Sequence, residues 1–226
     1  MKLSIITHGT VGFDVPDIAQ LISDYGAYHM FQIGQKLKDE KDLVIVYPDV
    51  IKHVQSANII LAQLPKGTPH AGGVWPFREK DYTGKDHIHG KHENLFWMDG
   101  DKRADIAGMS WYSKWEKDIV EKFGCETTEQ VDERVRKGLK WLFEKFDDKH
   151  VILITSVGTG TFIDLMSKGG SLKEIMADPK AGVEAEIKHG EIRNISTEGV
   201  ENLRKAADVP APASTPKTSC KACHKS

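Results

Sequence analysis

Apolar residues along this chain fall into runs of two different lengths. Leu43–Tyr47 and Val151–Thr155 are short and almost continuously apolar, as expected of strands buried on both faces in a parallel sheet. Leu3–Thr7 is a shorter run of the same kind, stopped by His8-Gly9. Between these lie stretches with helical spacing. Ile18, Leu21, Ile22, Tyr25 and Tyr28, continued by Ile33 and Leu37, predict a helix over 17–38. Ile51, Val54, Ala57, Ile60 and Leu61 predict a second helix, with Asp49 as its cap. Trp111–Phe123 and Glu129–Phe146 predict two more, the latter with Val131, Val135, Leu139, Leu142 and Phe146 on one face and Thr128 as its cap. Gly158-Thr159-Gly160 reads as a Gly-rich turn leading into an apolar helix through Phe162, Ile163, Leu165 and Met166. Gly182–Ile187 and Glu191–Ile195 read as a closing hairpin turning at His189-Gly190. Strands separated by helices imply an α/β fold, a three-layer sandwich with a mostly parallel central sheet.

Two regions lack this periodicity. Residues 65–110 are rich in Gly, His and charge and predict a large loop region over the carboxyl ends of the strands. From residue 206 the chain turns to Pro, Ala, Ser and Thr, a composition that cannot bury enough apolar area to offset its ordering entropy. The expectation is a domain over 1–205 and a flexible tail over 206–226, ending in Cys220-Lys221-Ala222-Cys223-His224.

Composition narrows the function classes. The 226 residues carry 31 Lys plus Arg against 33 Asp plus Glu, a formal net charge of -2. No basic block interleaved with aromatics appears, so the expectation is no nucleic-acid partner. No apolar run approaches the roughly 18–20 residues of a membrane helix, and the apolar N-terminal stretch is short and enters a Gly turn. Three cysteines, two of them in the tail, give no disulfide framework. These features are expected of a cytoplasmic protein that does not associate with membranes.

The chemistry-bearing residue that stands out is His8. It directly follows the first strand, and ligands of open α/β sheets bind at the carboxyl ends of the strands. A neutral imidazole there can attack phosphorus. Lys52, His53 and Arg78 are candidate cations, and His70, His87, His89 and His92 lie in the loop region. The run His87-Ile88-His89-Gly90-Lys91-His92-Glu93 matches no known metal spacing and reads as a polar loop. The tail Cys220, Cys223 and His224 could supply most of a tetrahedral zinc site, a reversible disulfide, or neither. The Cys-x-x-Cys-His spacing also has the form of a c-type haem attachment, without the folded pocket such a group needs.

Motifs in chain order resemble those of the histidine phosphatases, the phosphoglycerate-mutase-like superfamily, over roughly residues 1–195. In that family the first strand ends in Arg-His-Gly-Glu/Ser-Thr; this chain reads Thr7-His8-Gly9-Thr10. The second strand is followed by Ser-Pro-Leu-x-Arg-Ala-x-Gln-Thr-Ala; here Pro48-Asp49-Val50-Ile51-Lys52-His53-Val54-Gln55-Ser56-Ala57. A Leu-x-Glu-x-x-x-Gly segment is similar to Phe77–Gly84, and the late Ser-His-Gly-Gly to Ser156-Val157-Gly158-Thr159. The resemblance implies a phosphoglycerate-mutase-like fold, His8 as phospho-accepting nucleophile and Glu79 as general acid. It implies phosphate contacts from Thr7, Thr10, Lys52, Arg78 and Gly158, and no required cofactor. The family arginines are replaced by Thr7 and Lys52, and its second histidine by Val157. Arg offers a planar fork for phosphate, Lys a point charge, Thr a neutral hydroxyl and Val nothing. The implied function is action on, or binding of, a small phosphorylated metabolite with impaired phosphohydrolase or mutase chemistry. The alternative is a non-catalytic pseudophosphatase that binds an anion, a protein partner or a second copy of itself.

Overall fold

The computed structural model describes residues 1–11, 21–77, 126–171, 174 and 184–209. Their elements run β1 (Lys2–Thr7), α1 (Asp24–Leu37), β2 (Leu43–Tyr47), α2 (Ile51–Leu61), β3 (His70–Gly72), a short 3-10 turn (Trp75–Phe77), α3 (Thr128–Phe146), β4 (His150–Thr155), α4 (Val157–Ser167), β5 (Ile192–Ile195) and α5 (Thr197–Ala206). The sheet order is β3-β2-β4-β1-β5. β1 and β4, β4 and β2, and β2 and β3 pair in parallel, while β5 runs antiparallel to β1 along the edge. This is the three-layer, mostly parallel α/β architecture expected from the sequence.

The layers follow from side-chain alternation inside the continuous apolar runs. Leu3, Ile5, Val44, Val46, Val151 and Leu153 face one core with Val131, Val135, Leu139 and Leu142 of α3 and Leu203 of α5. Ile6, Ile45, Ile152 and Ile154 face the other, against Met30, Ile33 and Leu37 of α1 and Ala57 and Ile60 of α2. Both faces of the sheet are covered, so these strands show no polar alternation.

Several local details depart from the sequence reading. The described part of the first helix begins at Asp24, capped by Ser23, whose Oγ accepts the Gly26 N–H. Tyr25 and Tyr28 are exposed rather than part of the buried stripe. Helix α2 is preceded by Val50, and Asp49 does not cap it. The cap of α3 is Thr127, in a capping box with Gln130, one residue before the expected Thr128. Residues 158–160 are already helical, because α4 starts at Val157 straight from β4. Among the described residues the expected hairpin is not formed: 184–185 are helical, 186–188 carry no strand, and β5 pairs with β1. The short β3 and the Trp75–Phe77 turn lie inside the expected loop region. The helix expected at 111–123 and residues 210–226 of the expected tail lie outside the described residues; at the start of that tail α5 runs to Ala206, Ala207 is buried, and Ala206 and Val209 pack against the core.

The Trp75–Phe77 turn is held from both sides. Arg134 of α3 donates to the Pro76 carbonyl at 2.6 Å while its Nε and Nη2 engage the Glu126 carboxylate at 2.6 and 3.0 Å. Thr155, the last residue of β4, donates its hydroxyl to the Phe77 carbonyl at 2.7 Å. The connection after β3 is thereby fastened to the carboxyl edge of the sheet.

Candidate functional site

The parallel pairing puts the ends of β1, β2 and β4 on one edge. Thr7 pairs with Thr155, and His8 extends the ladder by one bond, its N–H reaching the Thr155 carbonyl at 3.1 Å. The next residue is anchored sideways. Gly9 N–H donates to Ser56 Oγ at 3.1 Å, and Ser56 donates to the Lys52 carbonyl at 2.7 Å. The His8 loop is therefore bonded directly to α2.

Helix α2 explains what the apolar pattern concealed. Its buried residues are Lys52, His53, Ser56, Ala57 and Ile60, whereas Ile51 is exposed. The first two turns bring a lysine, a histidine and a serine inward. Burying such groups costs free energy unless they interact with other polar groups. This polar set on the inward face of a helix N-terminus, beside a strand-end histidine, is a candidate site.

His8 is buried, only 3% exposed. Its ring lies 5.1 Å from that of His53, edge-on, and 4.7 Å from that of His189, tilted by 60°. Its Nδ1 is 2.8 Å from the Gly9 carbonyl oxygen. A carbonyl only accepts, so Nδ1 carries the proton and donates. In the neutral ring the lone pair then sits on Nε2. Desolvation by burial, followed by the positive fields of Lys52, His53 and His189, holds the His8 pKa well below its ordinary 6.5, against a smaller opposing effect of the Gly9 bond. The site thus keeps a neutral imidazole with a fixed tautomer.

This depression has a consequence for stability. Unfolded, His8 takes up a proton near its ordinary 6.5; folded, it does so only at lower pH. Below 6.5 the unfolded chain binds more protons, so the His8 contribution is present above that pH and is lost as pH falls towards the folded value. His150, also lowered by burial with Glu40 opposing, acts in the same direction. We expect the melting temperature to fall between about pH 7 and pH 5, and to fall less steeply in His8→Asn. Identical slopes in the two proteins would show that His8 does not titrate this way.

The remaining sequence-derived residues are placed as follows. Thr7 is fully buried and its hydroxyl donates to the Lys188 carbonyl. The Thr10 carbonyl receives the Ser23 N–H at 2.7 Å and the Ser23 hydroxyl at 3.0 Å, tying the loop to the start of α1. Gly158 occupies the first turn of α4; the Gly160 N–H bonds to the Ser156 carbonyl at 2.8 Å, so the N–H of Gly158 points out of the helix end. Val157 follows β4 as expected and is buried. His70 is exposed on β3 and stacks on Tyr47 with ring centroids 6.4 Å apart. Arg78, Glu79, His87, His89, His92, Cys220, Cys223 and His224 lie outside the described residues. Among the described residues no group of three or more His, Cys, Asp or Glu is arranged to hold a metal ion, and no helix is long and apolar enough to cross a membrane. The residue that sequence reasoning left without a role is His189. Its signal was the Lys188-His189-Gly190-Glu191 turn, read there only as a hairpin.

No protein-family model matches the sequence, and no curated protein matches it. Solved structures do. A mycobacterial glucosyl-3-phosphoglycerate phosphatase bound to inorganic phosphate is 14% identical, with a TM-score of 0.60, over 89% of this chain and 92% of that one. The alpha-ribazole phosphatase of Shigella flexneri is 13% identical, with a TM-score of 0.57, over 88% and 92%. Bacillus stearothermophilus YhfR is 14% identical, with a TM-score of 0.58, over 84% and 88%. The chain shares the fold of these structures, phosphoglycerate-mutase-like as the motif resemblance implied. At this identity the likeness concerns the fold.

Proposed function

We propose that this protein binds a small phosphorylated metabolite at the carboxyl edge of its sheet and transfers the phosphoryl group to His8, slowly compared with an ordinary phosphatase. The observation that carries the reading is the fixed tautomer of His8. With Nδ1 donating to the Gly9 carbonyl, the Nε2 lone pair forms the N–P bond as the ester P–O bond breaks. The departing oxygen takes a proton from a general acid, and water then attacks phosphorus, returning the electron pair to Nε2 and releasing inorganic phosphate. Glu79 is our candidate acid, supported by the anchoring of Phe77 to Thr155, and Arg78 beside it is a candidate phosphate ligand. Lys52, whose positive field reaches His8, and the N–H of Gly158 are the other candidate phosphate contacts. Thr10 is assigned to the loop that supports them. No metal takes part in these steps, and we assign none to Cys220, Cys223 and His224. The glucosyl-3-phosphoglycerate and alpha-ribazole phosphatases of the same fold support a phosphorylated small molecule as the substrate class.

Slowness follows from the donor set. Charge on a transferring phosphoryl group is spread over its oxygens, and catalysis comes mainly from donors and cations aimed at them. The chain offers Lys52 where the resemblance implies a bidentate arginine, and Val157 where it implies a histidine. Loss of one well-placed donor typically costs about 10²–10³ in turnover. The test is steady-state turnover of a panel of small phosphate monoesters by wild type and Val157→His. We expect weak wild-type turnover and a gain of about 10-fold or more in the variant. Turnover matching an ordinary phosphatase would sink the attenuated reading. Absence of any phosphate-ester turnover or inorganic phosphate binding would favour the alternative, a protein-interaction module without chemistry.

A further inference from the structure

We infer that His189 contacts the phosphoryl oxygens at this site, supplying from the β5 side the donor that Val157 does not supply from the β4 side, and that Thr7 is the positioning residue that places it; this rests on the reading of His8 as the phosphate-accepting group. The topology carries the first part. β1 lies between β4 and β5, so His8 stands between the residue that follows β4 and the turn that precedes β5. On the β4 side is a valine. On the β5 side is an imidazole whose centroid lies 4.7 Å from that of His8. An oxygen on a phosphorus bonded to the His8 ring needs a donor about 2.7–3.1 Å away. A second ring beside the first, tilted and not stacked flat, is placed to provide one. His189 is itself exposed, so it can meet an incoming ligand before that ligand reaches the buried His8.

The turn that carries His189 is built. Lys188 to Glu191 close a β-turn through the Glu191 N–H and the Lys188 carbonyl at 3.0 Å. Gly190 takes the left-handed conformation at φ +73, and a Cβ there would stand 3.0 Å from His29 Nδ1. This matches a type II turn, which needs φ above zero at its third residue. The Lys188 N–H donates to the Glu191 carboxylate at 3.1 Å. Ahead of the turn, Ile187 is fully buried and its N–H donates to Thr161 Oγ1 at 3.0 Å. Behind it, Ile192 enters the ladder opposite Ile6. The last tether is the Thr7 hydroxyl on the Lys188 carbonyl. Thr7 and His8 are adjacent, so this bond fixes the His189 turn to the residue next to the nucleophile. A side chain that would otherwise be an unremarkable buried threonine is in this way coupled to the site geometry.

The experiment measures binding of orthovanadate, a mimic of the five-coordinate phosphoryl group, and of inorganic phosphate to the full chain by calorimetry. Wild type is compared with His8→Ala, His189→Ala, Thr7→Val and Thr7→Ser. We expect His189→Ala to weaken vanadate by about 10²-fold and phosphate by less, since a donor aimed at the transferring group acts mainly there. Its melting temperature should stay at the wild-type value, because the ring is exposed. Thr7→Val should weaken vanadate in the same direction, and Thr7→Ser, which retains the hydroxyl, should restore it. Vanadate bound in a His8-dependent way but equally by His189→Ala would overturn the inference and leave the proposed function standing. Equal loss in Thr7→Val and Thr7→Ser, or none in either, would overturn the role of Thr7. No difference between wild type and His8→Ala would overturn both the inference and the function beneath it.

Discussion

His8→Ala is expected to lose all histidine-bound phosphate and to drop phosphate-ester turnover to the uncatalysed background. A nucleophile is the member of a catalytic unit whose removal costs most, because the other groups are arranged around the bond it makes. Under the proposed function His8 is that member. His53 and His189 flank it at 5.1 and 4.7 Å between ring centroids, and the Nδ1 of His8 is committed to the Gly9 carbonyl. That bond selects Nε2 as the lone-pair nitrogen, and burial, reinforced by the surrounding positive groups, keeps it unprotonated. The cations cannot transfer phosphate by themselves. Lys52→Ala should therefore slow the reaction by about 10–10³-fold and still leave phosphohistidine detectable. The measurement is acid-labile, base-stable phosphate on protein quenched during turnover, alongside steady-state rates. Phosphohistidine that persists in His8→Ala would move the nucleophile to a neighbour. Turnover that persists with no phosphohistidine in any variant would mean direct attack by water.

The elements that were legible in the sequence are those in which burial alone selects the residues. Leu43–Tyr47 and Val151–Thr155 are strands within a residue of expectation, and α3 buries Val131, Val135, Leu139 and Leu142 as its spacing predicts. The departures cluster around the site. The inward face of α2 begins with Lys52 and His53, so an apolar template places that face about a quarter turn away and assigns Ile51 to a core it does not enter. The Gly-rich run after β4 reads as a turn because Gly favours turns, yet Gly160 packs at 3.2 Å from Ile5 and 3.3 Å from Thr155 when a Cβ is added, a close approach of α4 to the sheet. Tyr25 and Tyr28 fit a helical stripe by spacing and are exposed, since spacing fixes which residues share a face and not whether that face is covered. The placement of His189 was not legible locally, because its turn reads only as a hairpin and the bond that fastens that turn beside His8, from the Thr7 hydroxyl to the Lys188 carbonyl, spans 181 residues. Local pattern placed His8 and Lys52 at the carboxyl ends of their strands, and long-range contacts decided which side chains lie beside them.

Gly26→Ala is expected to destabilise the protein and to lower activity without touching any residue that meets substrate. Two effects oppose each other. In a helix, Ala is favoured over Gly by about 1 kcal/mol, and Gly26 lies in the first turn of α1. Against this, a Cβ at Gly26 would stand 2.5 Å from the Thr10 carbonyl oxygen, 2.7 Å from the Thr10 nitrogen and 3.0 Å from the Gly9 carbonyl carbon. Those are backbone atoms with no rotamer to change. The contact is reciprocal, since a Cβ on Gly9 would meet the Gly26 carbonyl oxygen at 2.8 Å. Overpacking of this kind costs about 1–3 kcal/mol, and backbone on both sides places it in the upper part of that range, so the clash outweighs the propensity. The strain has one outlet. The loop must move away from α1, while the Ser23 N–H and hydroxyl still hold the Thr10 carbonyl and Ser56 still holds Gly9. Moving Gly9 carries the carbonyl that sets the His8 tautomer. A displacement of about 1 Å at reacting atoms can cost 10²-fold in rate. The expected result is a melting temperature lower by several degrees and a turnover loss larger than the loss of folded protein explains, measured on samples held well below the transition. Gly26→Ala with wild-type stability and turnover would mean that α1 and the His8 loop are not in this close contact.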